Sequence, residues 1–214
     1  MTLRTPLCDT LGIEHPIFLA GMGGVAYADV CAAVSEAGGH TGRVAGMALI
    51  PQIVDAVDIP VLAAGSIVDG RGLAAALAFG AQGVWMGTRF IASHEARAHE
   101  TYKKRITEIG SADTAITRSY SGKPMRVIQN DWVDEWEHKT DTVLRFPDQM
   151  QVSAGEGVLL FTTAQADEFD SSRNCMPCGQ GAGGIDDVPS CREIVDRVMR
   201  EAEVTIGRLG TLSA

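Results

Sequence analysis

Residues 59–90 read IPVLAAGSIVDGRGLAAALAFGAQGVWMGTRF, and this stretch decides the fold class. It opens with an apolar run that ends at Gly65, continues through an alanine-rich segment that ends at Gly80, and closes with a second apolar run that ends at Gly87. An apolar run bounded by glycine is typical of a strand buried on both faces, and an alanine-rich segment is typical of a helix. The stretch therefore predicts two parallel strands joined by a helix.

The segments before and after this stretch extend the same alternation. Residues 16–20 form a third apolar run that leads into glycines, and apolar residues recur at helical spacing over 27–37, 47–57 and 92–108. Alternating strands and helices predict a parallel sheet covered by helices, and ligands of such folds bind at the carboxyl ends of the strands.

Residues 111–214 follow a different pattern. The sequence predicts a turn and a short strand near 121–128, a short helix over 131–138, and a final helix that begins at 188–190 with Pro189 in its first turn. Periodicity is weak over 140–180. Because no linker separates this part from the first 110 residues, we expect it to pack on them.

Composition excludes several classes of function. The net charge is −9 and the sequence pI is about 5.0, which argues against a general binder of nucleic acid or anionic membranes. No apolar run approaches the roughly 20 residues of a membrane helix, and the N-terminus lacks the apolar core of a signal peptide. The five cysteines fit reduced thiols better than a disulfide framework, so we expect a cytoplasmic protein.

Candidate chemistry centres on residues 36–42, EAGGHTG. Glycines permit close approach of a ligand to the backbone, and His40 can exchange a proton near neutral pH, although a loop histidine without chemistry is the plain alternative.

Cys175 and Cys178 form a CxxC that lacks the second pair a zinc ribbon needs, so we expect no metal site. We interpret His94 and His99 as solvated, and Trp132 with Trp136 as packing residues.

Seven strings carry a family resemblance when they are taken together: residues 15–24, 38–42, 60–72, 80–90, 122–124, 130–137 and 179–181. In combination they resemble the nitronate monooxygenase family, formerly called the 2-nitropropane dioxygenases. That family is a (β/α)8 TIM barrel that binds FMN at the carboxyl ends of its strands and oxidises alkyl nitronates with O₂. The resemblance implies the same cofactor and chemistry here, with a nitronate-like small molecule and O₂ as partners and with neither nucleic acid nor membrane.

The resemblance also implies roles for individual residues. His40 corresponds to the family's catalytic base. Backbone amides at Gly65-Ser66 and at Met86-Gly87-Thr88 correspond to the loops that hold the flavin phosphate, an arrangement that suits an anion. Flavin contacts are expected at three further residues: Met22, Gly23 and Gly38. Many relatives have glycine where Ser66 stands, so the serine either adds a hydrogen bond or crowds the phosphate if its φ must be positive.

Length is the main departure from the family, since a barrel of this type needs roughly 250 residues. Several central βα units are absent between the first helix and the GGH loop, as if two similar Glu-Ala-Gly-Gly strings had been fused at residues 36–39. We therefore expect an incomplete α/β, TIM-barrel-like fold over residues 1–110 with FMN-binding loops, and a C-terminal helical extension over 111–214. Unpaired strand edges would invite a homo-oligomer or aggregation.

Three functions remain open on this basis. The first is FMN-dependent oxidation of alkyl nitronates with His40 as the base. The second is a shortened, inactive family member that acts as an oligomeric or structural protein. The third is a flavin-dependent enoyl-acyl-carrier-protein reductase, which shares the barrel and would depend on NAD(P)H.

Overall fold

A computed structural model describes residues 3–20, 39–40, 44–160 and 168–213. Its strands are β1 (Ile17–Leu19), β2 (Gly39–His40), β3 (Leu62–Ala64), β4 (Gly83–Met86), β5 (Thr114–Thr117) and β6 (Met125–Ile128). Its α-helices are α1 (Pro6–Leu11), α2 (Gly46–Ala56), α3 (Gly70–Ala78), α4 (Thr88–Ile91), α5 (Glu100–Glu108), α6 (Asp131–Glu137), α7 (Asp148–Gly155) and α8 (Cys191–Gly210). Short 3₁₀ helices occur at Thr140–Thr142, Gln180–Gly184 and Thr211–Ser213.

Three of the strands form the parallel sheet that the sequence predicts. Strand β4 lies in the middle, between β1 and β3, and all three run in the same direction. Among the described strands β1 and β3 are therefore outer strands, and three strands do not close a barrel. The fold is an incomplete (β/α) barrel, as expected.

Apolar side chains are exposed beside this open sheet. Met47 on α2 is 77% exposed, and Ile59, just before β3, is 70% exposed. Helix α2 buries only Ile50 among its described side chains. In a closed barrel, neighbouring units would cover such residues.

Helix α3 begins three residues earlier than its alanine-rich core. The Asp69 side chain accepts a hydrogen bond from the Gly72 N–H at 2.9 Å, so it caps the helix and satisfies a first-turn donor. The predicted stop at Gly80 is confirmed, and this glycine has a φ of 90°.

Helix α8 packs the end of the chain against α3. Ser190 and Glu193 form a capping box at its start, and Pro189 precedes the cap, so its predicted place in the first turn is wrong. The Gly70 N–H donates to Glu201 Oε2 at 3.0 Å, and a Cβ on Gly70 would come within 2.3 Å of the Ala202 nitrogen. The two helices therefore touch at a point that admits no side chain.

The main core lies between the parallel sheet and these two helices. It contains buried apolar residues from α2, β3, α3, the turn before β4, β4 itself, α4 and α8: Ile50, Ala63, Leu73, Ala76, Ala81, Val84, Met86, Phe90, Ile194, Val198, Met199 and Ala202. The final helix thus completes the core of the barrel remnant.

The helix predicted over residues 92–108 is wrong in its first half. Helix α4 ends at Ile91, and α5 begins only at Glu100. The Ala92 carbonyl accepts a hydrogen bond from Arg89 Nη2 at 2.7 Å, and the His94 N–H donates to the distant Pro189 carbonyl at 3.0 Å instead of to a helical acceptor. His99 is not solvated as expected: its Nδ1 accepts from the Thr101 N–H at 3.1 Å, and its ring stacks on Phe169. His94 is exposed as expected.

The C-terminal extension contains a second sheet that the sequence predicted only in part. Strand β6 was expected, whereas its antiparallel neighbour β5 and helix α7 were not. Trp132 is 3% exposed and lies 5.6 Å from Trp136 between ring centroids, so this pair packs as expected. The division of the chain near residue 110 stays a prediction.

The helix predicted over residues 27–37 lies outside the described residues. Within the described part of the chain, no helix combines the length and the apolar character needed to cross a membrane.

Candidate functional site

The two loops proposed to hold a phosphate leave adjacent strands. Ala64, the last residue of β3, pairs with Trp85 of β4, so Gly65-Ser66 and Gly87-Thr88 emerge at the same edge of the sheet. Both loops follow the carboxyl end of a parallel strand, and Gly87 is the N-cap of α4. Amide groups of a first helical turn have no acceptor within their own helix, which makes this edge suitable for an anion.

Gly65 and Ser66 both adopt left-handed backbone conformations. Their φ angles are 103° and 54°, and Ser66 is the only non-glycine residue with positive φ among the described residues. A residue with a side chain pays roughly 1–2 kcal/mol for this conformation. The position therefore does have a positive φ, which leaves the serine under strain.

Met86 serves the sheet as well as its loop. Its carbonyl accepts a hydrogen bond from the Ala20 N–H at 2.8 Å, and its side chain is 1% exposed within the main core. The structure thus places Met86 immediately before the loop, with its side chain and carbonyl already engaged.

A third loop, around residues 179–181, meets the first two. The Gly179 N–H donates to Thr88 Oγ1 at 3.0 Å. A Cβ on Gly181 would lie 3.0 Å from Ser66 Cα and 2.8 Å from Val68 Cγ1, so this glycine permits close contact with the β3 loop. Residues 179–181 contribute to the family resemblance, but the sequence predicts no place for them in the site.

Arg89 anchors the far side of the β4 loop. Its side chain is 5% exposed, and Nη1 donates to Asp187 Oδ1 at 3.0 Å. Arg197 Nη1 donates to the other carboxylate oxygen of Asp187 at 2.8 Å. Burial lowers the pKa of Arg89. Burial also favours a higher Asp187 pKa, but the hydrogen bond from Arg197 and the charge of Arg89 outweigh it and lower that pKa.

His40 lies in the second sheet rather than in the parallel one. Strand β2 pairs antiparallel with β6, which places His40 opposite Met125 and Gly39 opposite Arg126. Further along β6, Val127 forms an isolated bridge with Pro177. The chain runs from Pro177 directly into the third loop, so β6 connects the backbone of the GGH motif to the loop that contacts Thr88. The other candidates Met22, Gly23 and Gly38 lie outside the described residues.

The CxxC cysteines are buried reduced thiols. Cys175 is 2% exposed and Cys178 is 0% exposed, and both are free. Burial raises the pKa of Cys178 to about 12 and also raises that of Cys175, so neither is a thiolate at neutral pH. No group of three or more metal-binding side chains occurs among the residues described.

Comparisons with known proteins place the chain in a family. The family model described as nitronate monooxygenase matches residues 35–201. A Rhodococcus jostii protein named as a 5-hydroxy-7a-methyl-1-oxo-octahydro-1H-indene-4-carboxyl-CoA dehydrogenase is 36% identical over 213 aligned residues, which cover 84% of this chain and 60% of that protein. A probable nitronate monooxygenase of Bacillus subtilis is 40% identical over 60% of this chain and 45% of its own length.

Solved structures show the same likeness. FabK from Thermotoga maritima has a TM-score of 0.71 and 29% identity over 98% of this chain and 62% of its own. A nitroalkane oxidase from Streptomyces ansochromogenes has a TM-score of 0.71 and 27% identity over 95% of this chain and 55% of its own. The chain spans 60% or less of the two curated relatives above. It is a partial-length member of the nitronate monooxygenase family.

Proposed function

We propose that the chain is a flavin-dependent oxidoreductase that binds FMN at the carboxyl ends of β3 and β4. The observation that carries this proposal is the convergence of three glycine-containing loops, those at Gly65-Ser66, Gly87-Thr88 and residues 179–181. The two left-handed residues and the first turn of α4 present backbone amides at one place, which suits the dianionic phosphate of FMN.

Thr88 has a specific part in this arrangement. Its hydroxyl accepts the Gly179 N–H, and a hydroxyl that accepts a hydrogen bond retains its own proton for donation. Thr88 can therefore hold the third loop in place and still donate a hydrogen bond to a phosphate oxygen. FMN, when bound, would supply the redox chemistry, and the protein would supply position and charge.

The reaction we propose is the oxidation of alkyl nitronates by O₂, with His40 either as the base that accepts the α-proton of a neutral nitroalkane substrate or as the group that holds the nitronate oxygen. This role rests on the GGH motif and on the family, together with the pairing of β2 with β6. We further propose Met22, Gly23 and Gly38 as flavin contacts, on the resemblance alone.

A direct test is a titration of the purified chain with FMN, followed by the quenching of flavin fluorescence and by the visible absorbance of the bound flavin. We expect a yellow complex that consumes O₂ when a nitronate is added. A colourless, strictly oligomeric or aggregating protein that takes up no FMN would instead support the inactive, structural alternative.

The role of His40 is tested by His40→Asn in the flavin-loaded protein. Loss of a general base costs roughly 10²–10⁴-fold in rate, so oxidation of a neutral nitroalkane should fall by that factor while FMN affinity is retained. The exposed His94 gives a matched control, since His94→Asn should change neither quantity. Unchanged nitroalkane oxidation in His40→Asn would show that His40 is not the base.

A second candidate is the flavin-dependent enoyl-acyl-carrier-protein reductase. The FabK structure resembles this chain as closely as the nitroalkane oxidase structure does, with the same TM-score of 0.71. The two reactions differ in their electron donor. Reduction of the bound flavin by NAD(P)H would favour the reductase, and reduction by a nitronate alone would favour the oxidase.

A further inference from the structure

Arg126 is a buried cation without a counter-charge in the described part of the chain. The residue is 8% exposed, and its Nη1 donates to Thr114 Oγ1 at 3.1 Å. Its Nε is buried and has no hydrogen-bond partner among the described residues. No described carboxylate forms an ion pair with it. A neutral hydroxyl is thus the one acceptor that the described residues give this guanidinium.

Arg89 shows how the same chain compensates a cation at similar depth. Arg89 is 5% exposed, but Asp187 pairs with it at 3.0 Å and the Ala92 carbonyl accepts from its Nη2 at 2.7 Å. A buried charge that lacks such partners is costly, because desolvation is not offset by attraction. The contrast indicates that the partner of Arg126 is an anion that is not part of the described protein.

Arg126 also lies beside the third loop of the candidate site. Its carbonyl accepts the Cys178 N–H at 3.2 Å, and the next residue, Gly179, donates to Thr88. Residues two apart in a strand share a face, and Ile128 packs with Ile91 of α4 and with Cys178. The Arg126 side chain therefore lies on the face of β6 that is directed at α4 and the third loop.

The positive charge of Arg126 influences the pKa of the Cys178 thiol. Burial raises the Cys178 pKa, whereas the positive charge of Arg126 and a hydrogen bond with Thr88 act in the opposite direction. The Cys178 thiol is thus close enough to both Arg126 and Thr88 for each to influence it. Its backbone N–H also donates to the Arg126 carbonyl, so the cation and the proposed phosphate loop share Cys178 as a neighbour.

We propose that Arg126 provides the positive charge that neutralises the phosphate of the bound flavin. This inference rests on the proposed function. It assigns to Arg126 the charge that the backbone amides of the β3 and β4 loops lack, and it accounts for a buried arginine that no described carboxylate pairs with.

The test compares two ligands that differ only in the phosphate. The purified flavin-free protein and its Arg126→Met variant are titrated with FMN and with riboflavin, with quenching of flavin fluorescence as the signal. We expect FMN to bind roughly 10- to 100-fold more weakly to the variant, which is the factor for losing a charged hydrogen bond, while riboflavin affinity stays unchanged. Arg126→Lys should recover part of the lost FMN affinity.

Arg118 offers the matched control, since it lies on the same hairpin and is exposed. Arg118→Met removes the same charge from the chain and should leave the affinities for both flavins unchanged. A melting curve of the flavin-free protein gives a second readout. Arg126→Met should be at least as stable as the wild type without ligand, because it removes an uncompensated buried charge.

Three results would overturn the inference. The first is an equal loss of FMN and riboflavin affinity in Arg126→Met, and the second is no loss of either. The third is a wild type that binds FMN no more tightly than riboflavin. If Arg126→Met does not fold, Arg126→Gln must show the same loss that is specific to FMN. Failure of the proposed function is a separate observation, namely a wild type that binds neither flavin.

Discussion

The hydrogen bond between Gly179 and Thr88 can be removed by Thr88→Val, which replaces the hydroxyl with a methyl group of similar size. The donor nitrogen and Thr88 Oγ1 are 3.0 Å apart, and Thr88 is 8% exposed, so the substitution removes a buried acceptor of the Gly179 N–H. A buried N–H left without a partner costs about 1–3 kcal/mol of stability. For a chain of this size, that corresponds to a fall in melting temperature of about 2–12 °C.

The assay is thermal unfolding of the flavin-free protein, followed by circular dichroism. Thr88→Ser is the control, because it keeps the hydroxyl and removes only a methyl group. Hydrogen exchange at the Gly179 amide adds a local readout, since exchange there should accelerate in Thr88→Val alone. If Thr88→Val and Thr88→Ser have the same melting temperature and the Gly179 amide stays protected from hydrogen exchange, the hydrogen bond does not hold the third loop.

Two further predictions concern the supports of the site. Gly70→Ala should lower the free energy of unfolding by about 1–3 kcal/mol, the usual cost of overpacking, because the added Cβ would meet the α8 backbone. Gly155→Ala is the control, since a Cβ there meets nothing within 4 Å, and it should be neutral in the same thermal unfolding experiment. Asp187→Asn should destabilise by about 1–3 kcal/mol at neutral pH, because Arg89 loses a charged partner. The Asp187 pKa is lowered in the fold, so its contribution is present above the unfolded value of about 3.9 and is lost as pH falls through the folded value. The difference in melting temperature between wild type and Asp187→Asn should therefore shrink on acidification, and a constant difference would contradict the ion pair.

The parallel sheet and its loops could be predicted from the sequence because their signals are local. Glycine-bounded apolar runs mark β3 and β4, and the carboxyl ends of parallel strands meet at one edge. From these two facts the proximity of Gly65-Ser66 to Gly87-Thr88 follows without a structure. The sequence left open whether Ser66 takes a positive φ, and the backbone shows that it does.

The remaining parts of the candidate site depend on contacts between distant residues. Gly179 and Thr88 are 91 positions apart, and neither carries a pattern that would pair them. Arg126 stands in a short strand, and an arginine is ordinarily expected at the surface, so its burial leaves no mark in the sequence. The helix predicted over 92–108 failed for a similar reason, because the His94 N–H donates to the carbonyl of Pro189, 95 positions further along the chain, instead of to a carbonyl of its own helix.

The contact between Gly70 and Glu201 has a consequence for the order of events during synthesis. The two residues are 131 positions apart, and the main core is complete only when Ile194, Val198 and Met199 pack on α3. On a ribosome, the β3 and β4 loops emerge long before the helix that fixes them, so the nascent chain exposes an unfinished apolar layer over most of its translation. The nascent chain should therefore need chaperones until α8 has been synthesised. A chain stalled before α8 should be a target for proteolysis, even though the three described strands of the parallel sheet have already been made.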